Sequence, residues 1–283
     1  MRGLTMSDND GASKDGPGSD TITGAACGLH RLVGSAILQP RGRSGAADVG
    51  VLTVLAVESR AVADALSTGR DYRIREAADG LRFHQATLGT ARVVALQSLH
   101  LGQRSTGTAF EQLREHWAPP VVALVGVAAA AHRSVGLGDV VVSDEVVCYD
   151  TRHGVRPRGE RLYAPGMIGR RLNAFFTELG EPLRCADQAG EFSVRRGPIG
   201  SAAAAGSAPP AGWTGTLLAM ETESGGVAQA VHERLDQRHA PAGWLTIRGI
   251  SGHADAHRDT ASRHAAAVLV RLLPYLAVGL PPP

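Results

Sequence analysis

Short runs rich in valine and isoleucine alternate along this chain with segments of helical spacing, and no other feature limits the fold so tightly. Asp48-Val49-Gly50-Val51-Leu52-Thr53-Val54-Leu55 reads as a buried strand from its β-branched content. Glu58 to Leu66, with Val62 and Leu66 at helical intervals, reads as the helix that follows. Leu81 to Leu88 and Ala91 to Leu96 read as strands around a turn at Gly89, and Gly107 to Trp117 as a helix stopped by Pro119-Pro120. Further strands are expected at Val121 to Val127, Asp139 to Ser143, Leu217 to Met220 and Trp244 to Ile250. Helices are expected at Met167 to Leu179, Ser224 to Leu235 and Thr260 to Leu276. Strands alternating with helices predict an α/β sheet layered with helices.

The layered pattern occupies only part of the 283 residues. Residues 1–45 are rich in Gly, Ser, Asp and Ala without periodicity, and are expected to form a mobile tail. One domain is expected over residues 46–277, followed by a Pro-rich end at 278–283. The longest uncharged apolar stretch, Val121 to Ala131, is about half of what a membrane span needs, so no membrane protein is expected. The N-terminus has no apolar signal core, and three cysteines without a C-x-x-C pair make no disulfide framework. These features predict a reduced, cytoplasmic protein. With 29 basic against 27 acidic residues, no basic block and 4% aromatics, nucleic acid is not an expected partner.

In α/β folds, sites lie in crevices beyond strand ends. Glu58 follows the first strand, and Glu221 and Glu223 stand where the strand ending at Met220 turns into a helix. Arg248, Ser251, His253 and Asp255 follow the strand at Trp244, and the small residues Gly126 to Ala131 follow the one at Val121. Carboxylates converging from separate strand ends suit glycosidic chemistry, in which one activates water and others hold sugar hydroxyls and an oxocarbenium-like transition state. Carboxylates at helix N-termini are also ordinary caps for free N–H groups. His253 and His257 share the i, i+4 spacing of a metal-chelating pair, but no metal or organic cofactor is expected. His100, Cys148 and Cys185 are read as packing residues.

Over roughly residues 48 to 276, in collinear order, the chain resembles the nucleoside phosphorylase/nucleosidase superfamily, in its methylthioadenosine/S-adenosylhomocysteine nucleosidase-like branch. The resemblance rests on Val51-Leu52-Thr53-Val54-Leu55-Ala56-Val57-Glu58 and on Val125-Gly126-Val127-Ala128 with Gly138-Asp139-Val140-Val141-Val142-Ser143. Gly197-Pro198-Ile199-Gly200-Ser201, Ala219-Met220-Glu221-Thr222-Glu223 and Arg248-Gly249-Ile250-Ser251-Gly252-His253-Ala254-Asp255 complete it. It implies a three-layer α/β/α fold with a mixed central sheet, and hydrolysis of a nucleoside-like N-glycosidic bond. Carried over residue by residue, Glu58 activates water, Glu223 holds ribose and Glu221 supports it. Thr222, Ser201, Arg248, Ser251, Gly126 and Ala128 would complete the substrate site.

The resemblance also implies a homodimer. It breaks at Gly252, which stands where the family has a purine-protonating Asp, leaving Asp255 or His253 as substitute acids. The glycine loop is altered to Ala128-Ala129-Ala130, and Ala202-Ala203-Ala204-Ala205 brings no aromatic to the base. Two alternatives stay open: a nucleoside-sensing or scaffold domain with impaired catalysis, and a phosphorylase drawing on Arg104-Ser105-Thr106.

Overall fold

The computed structural model describes residues 46–149, 159–187, 190–204, 206–209, 211–213, 215–234, 243–252 and 255–277. The expected tail at 1–45, the end at 278–283, Leu235 and His253 lie outside them, as does the side chain of Asp255.

Three parallel strands form the spine. β1 (Val49–Thr53) pairs with β5 (Val121–Ala130), and β5 pairs in turn with β13 (Gly243–Ile250). On the other side of β1 lies the parallel β4 (Ala91–Gln97), extended by the antiparallel β3 (Arg82–Leu88) and β2 (Arg70–Glu76). Beyond β13 the sheet continues through β6 (Val140–Ser143), β10 (Gly190–Arg196) and β9 (Leu183–Asp187). A second arm leaves the far end of β5 and runs through β12 (Ala219–Glu221), β11 (Ile199–Ala202), β7 (Glu145–Tyr149) and β8 (Gly159–Tyr163). The sheet is therefore mixed, and it forks at β5.

Successive residues of a strand point to opposite faces, so near-continuous apolar runs fill both. Val49, Val51, Ala123, Val125, Leu245 and Ile247 pack under α1 (Ala56–Ser67), α3 (Gly166–Leu179) and α5 (Arg258–Leu276). Leu52, Val122, Leu124 and Trp244 face the opposite way, against α2 (Gln103–Trp117) and α4 (Ser224–His232). Three layers result, as expected. No helix among the described residues is long and apolar enough to cross a membrane.

Several boundaries differ from the sequence reading. α2 begins at Gln103 rather than Gly107, because its polar first turn carries no apolar stripe. β5 runs on to Ala130, so Gly126 to Ala130 belong to the strand instead of following it. β12 starts at Ala219, not Leu217. Strands β2, β7, β8, β9 and β10 were not anticipated. Cys148 and Cys185 are buried, whereas His100 lies exposed in the β4–α2 loop and packs into no core.

Candidate active site

The C-terminal ends of β1, β5, β11, β12 and β13 surround a cavity of about 520 Å³. Strand ends contribute Val54, Leu55, Val127, Ala128, Ala129, Ala202 and Met220, and Glu58, Glu221, Thr222 and Glu223 supply its acidic side. Leu101, Tyr149, Ala204 and residues 206–209 line it further, and Ser251, Gly252 and Arg258 complete it. The Tyr149 hydroxyl donates to the Ser207 carbonyl at 3.2 Å, fixing part of that wall.

Glu58 sits in the first turn of α1 and is 3% exposed. Its Oε2 accepts the N–H groups of Val54 (2.9 Å) and Leu55 (2.8 Å), which caps the helix. Its Oε1 accepts the N–H of Val127 at 2.8 Å and so ties α1 to β5. A carboxylate offers about four acceptor sites, so one site on Oε1 stays open. Burial pushes the Glu58 carboxyl above its ordinary value, opposed by the Arg248 guanidinium and the three N–H donors. Cap and candidate base are thus the same side chain.

Gly126 makes room for this arrangement. A Cβ there would stand 2.5 Å from both Glu58 Oε1 and Arg248 Nη1, so even alanine displaces one charged group or the other.

Arg248 on β13 is fully buried. Its Nη2 donates to Glu221 Oε2 and to Ser224 Oγ (3.2 Å), its Nε donates to Thr246 Oγ1 (3.1 Å), and Glu223 Oε2 lies 3.7 Å away. Glu221 Oε2 also accepts the N–H groups of Glu223 (3.0 Å) and Ser224 (2.8 Å), anchoring the start of α4. Its other oxygen, Oε1, is buried and accepts no hydrogen bond among the described residues. Burial raises the Glu221 carboxyl above its ordinary value; Arg248 works against this and Glu223 adds to it. Glu223 is 6% exposed, and both of its oxygens accept from Thr222, Oε1 from the hydroxyl and Oε2 from the N–H at 3.2 Å. Three buried carboxylates therefore share one guanidinium, which leaves an excess of negative charge when all are ionised. Burial and Glu221 push the nearby Cys148 thiol up to about 12, so it is no thiolate nucleophile.

The sequence candidates divide by location. Glu58, Glu221, Thr222, Glu223, Ala128 and Ser251 line the cavity, with Gly126 and Arg248 directly behind. Ser201 does not present its hydroxyl to a ligand: it accepts the Gly225 N–H at 2.9 Å and pins α4. The hydroxyls of the proposed phosphate stretch are also engaged. Ser105 Oγ accepts the His100 N–H at 3.0 Å, and Thr106 Oγ1 donates to backbone carbonyls including that of Glu223 at 2.8 Å. Gly252 has φ +66°, so an aspartate is disfavoured by the backbone; the nearest atom to a Cβ there, Leu137 Cδ2 at 3.1 Å, is the end of an exposed side chain. Arg258, at the first position of α5, was not anticipated. A helix start following a loop gives no pattern that points its side chain into a cavity.

No family model matches this sequence, and no curated protein matches it. Solved structures do. A 5′-methylthioadenosine/S-adenosylhomocysteine nucleosidase from Colwellia psychrerythraea 34H, in complex with adenine, is similar at a TM-score of 0.64 and 20% identity, over 83% of this chain and 97% of that one. The futalosine hydrolase of Helicobacter pylori strain 26695 is similar at 0.60 and 15% identity, over 79% and 96%. A 5′-methylthioadenosine/S-adenosylhomocysteine nucleosidase from Neisseria meningitidis, in complex with methylthio-immucillin-A, gives 0.59 and 17% identity, over 81% and 98%. The chain has the fold of these nucleosidases, the architecture that its sequence motifs implied.

Proposed function

We propose that this chain hydrolyses the N-glycosidic bond of a nucleoside-like substrate. The observation that carries this reading is the set of buried carboxylates, Glu58, Glu221 and Glu223, gathered at one cavity around a single guanidinium. As the glycosidic bond breaks, positive charge develops on the sugar, and a preformed negative field stabilises that state without reorganisation. Glu58 accepts the proton of the attacking water through its open Oε1 site, and burial, by raising its pKa, makes it a stronger base than an exposed carboxylate. The similarity to nucleosidases over 79–83% of this chain supports the reaction class.

Within this reading Glu223 holds the ribose hydroxyls and Glu221 supports it, as the sequence expectation has it. Each Glu223 oxygen accepts one hydrogen bond from Thr222 and keeps a second site for a sugar hydroxyl, whereas Glu221 Oε1 is buried and its Oε2 is spent on Arg248 and two N–H groups. Glu223→Gln is expected to weaken nucleoside binding by about 10–100-fold, the range for a hydrogen bond to a charged group, and more than Glu221→Gln does. Isothermal titration with a non-hydrolysable nucleoside analogue measures both. Equal losses, or a larger one for Glu221→Gln, move the main ribose role to Glu221.

Hydrolysis is favoured over phosphorolysis because the Ser105 and Thr106 hydroxyls are already engaged. A panel of nucleosides incubated with and without phosphate tests the reaction. Free ribose in both arms is the expected product. Ribose 1-phosphate overturns hydrolysis, and binding without turnover identifies a sensing domain instead.

The proposal includes a homodimer. Leu99 and Leu101 are 85% and 65% exposed, and Leu101 stands on the cavity wall. A second copy covering these leucines would also close the cavity from water. Light scattering at micromolar concentration is expected to give the mass of two chains; a single-chain mass removes the dimer.

A further inference from the structure

Among the described residues, the parts of the lining that come from β5, β11 and the turn after β13 bring no acidic side chain to the cavity. Ala128, Ala129 and Ala202 supply methyl groups, and Gly252 has no side chain. Ser251 spends its hydroxyl proton on the Gly252 carbonyl at 3.3 Å. Arg258 lines the same cavity and is the only basic side chain among the described lining residues. It is partly buried and also contacts the protein around it. Arg248 is not available for this role, being fully buried beneath the carboxylates.

Resting on the hydrolase reading, we propose that Arg258 selects nucleosides whose base is an acidic oxo-heterocycle and stabilises that base as it departs. A guanidinium offers several donors and a fixed positive charge but no proton to transfer. It matches a ring carbonyl and a deprotonated ring nitrogen, whereas the amino group of an aminopurine presents donor to donor. In the reaction, the C1′–N bond breaks and its electron pair goes to the base nitrogen. Water oxygen bonds to C1′, and the water proton passes to Glu58. The base leaves as an anion held by Arg258 and takes up a proton on release, so that base and free sugar are the products. Arg258 thereby assists the leaving group electrostatically, where a carboxylic acid would protonate it.

The test uses the full chain and two readouts. Equilibrium binding of free xanthine and free adenine is measured in mildly alkaline buffer, where xanthine is substantially anionic. Wild type is expected to prefer xanthine by about 10–100-fold, the range for a hydrogen bond to a charged group. Arg258→Gln is expected to erase the preference and Arg258→Lys to restore part of it, which rules out a folding defect as the cause. The second readout is the ratio of kcat/KM for xanthosine to that for p-nitrophenyl β-D-ribofuranoside, whose leaving group needs no help. That ratio is expected to fall by about 10–100-fold in Arg258→Gln. Equal binding of the two bases by wild type, or a preference that survives in Arg258→Gln, overturns the proposal. Failure of wild type to cleave the nitrophenyl riboside while the binding preference stands overturns the hydrolase reading instead.

Discussion

Replacing Glu58 by glutamine is expected to lower kcat/KM for the proposed hydrolysis by about 10²–10⁴-fold, the usual contribution of a positioned acid or base. Glutamine is the informative substitution because it keeps a carbonyl oxygen for part of the hydrogen-bond set at Val54, Leu55 and Val127. Alanine would leave one buried and two half-buried N–H groups without this acceptor, at about 1–3 kcal/mol for the buried one, and would mix a folding defect with a chemical one. The pH profile checks the assignment independently. Burial holds the Glu58 carboxyl above its ordinary 4.5, so activity rises with pH along an acid limb centred above that value. Stability moves the other way. A carboxyl whose folded pKa exceeds its unfolded one contributes fully below the unfolded value, and the contribution is lost as pH rises through the folded value. Steady-state kinetics and urea melts across that range measure both trends. A glutamine variant with the wild-type rate would leave Glu58 as a helix cap alone.

Arg248→Met is expected to remove about 3–5 kcal/mol of stability, the cost of breaking a buried ion pair by deleting one partner. The guanidinium is fully buried and contacts Glu221, Glu223, Ser224 and Thr246. Methionine fills much of the same volume, so the loss reports charge rather than a void. With the arginine gone, Glu221 and Glu223 face each other with no counter-ion, and Glu58 loses the cation that opposes its burial. Adding Glu221→Gln to Arg248→Met should restore part of the stability, since the two sites share one network. Urea denaturation of the single and double variants provides the cycle. A single-variant loss below about 1 kcal/mol would mean that the carboxylates are largely protonated already and that the negative field is weak.

The central strands were legible because burial on both faces demands apolar, β-branched runs, as in β1, β5 and β13. β2 was not, because it is a solvent-facing edge whose residues Arg70, Asp71, Arg73, Arg75 and Glu76 are charged and exposed. β8, β9 and β10 also lie toward the edges and bury few side chains, and β7 is a short apolar run without a helix after it. At the site, the acids and Arg248 were legible as residues placed where strands end. The double engagement of Glu58 with the start of α1 and with β5 was not, because it depends on which oxygen accepts which N–H group. The same spacing that marked Ser201 as a ligand cannot tell a hydroxyl facing a cavity from one bonded to the Gly225 N–H. Arg258 reaches the cavity only through the packing of α5, which no local pattern encodes.

The crowding around Gly126 sets the direction in which this protein is open to redesign. Position 126 cannot accept one added methyl group, because Glu58 and Arg248 already occupy the space. The lining residues Ala128, Ala129, Ala202 and Ala204 carry only methyl groups. Evolution or engineering of a new binding range therefore has its freedom at these alanines, each of which is one nucleotide change from several larger residues.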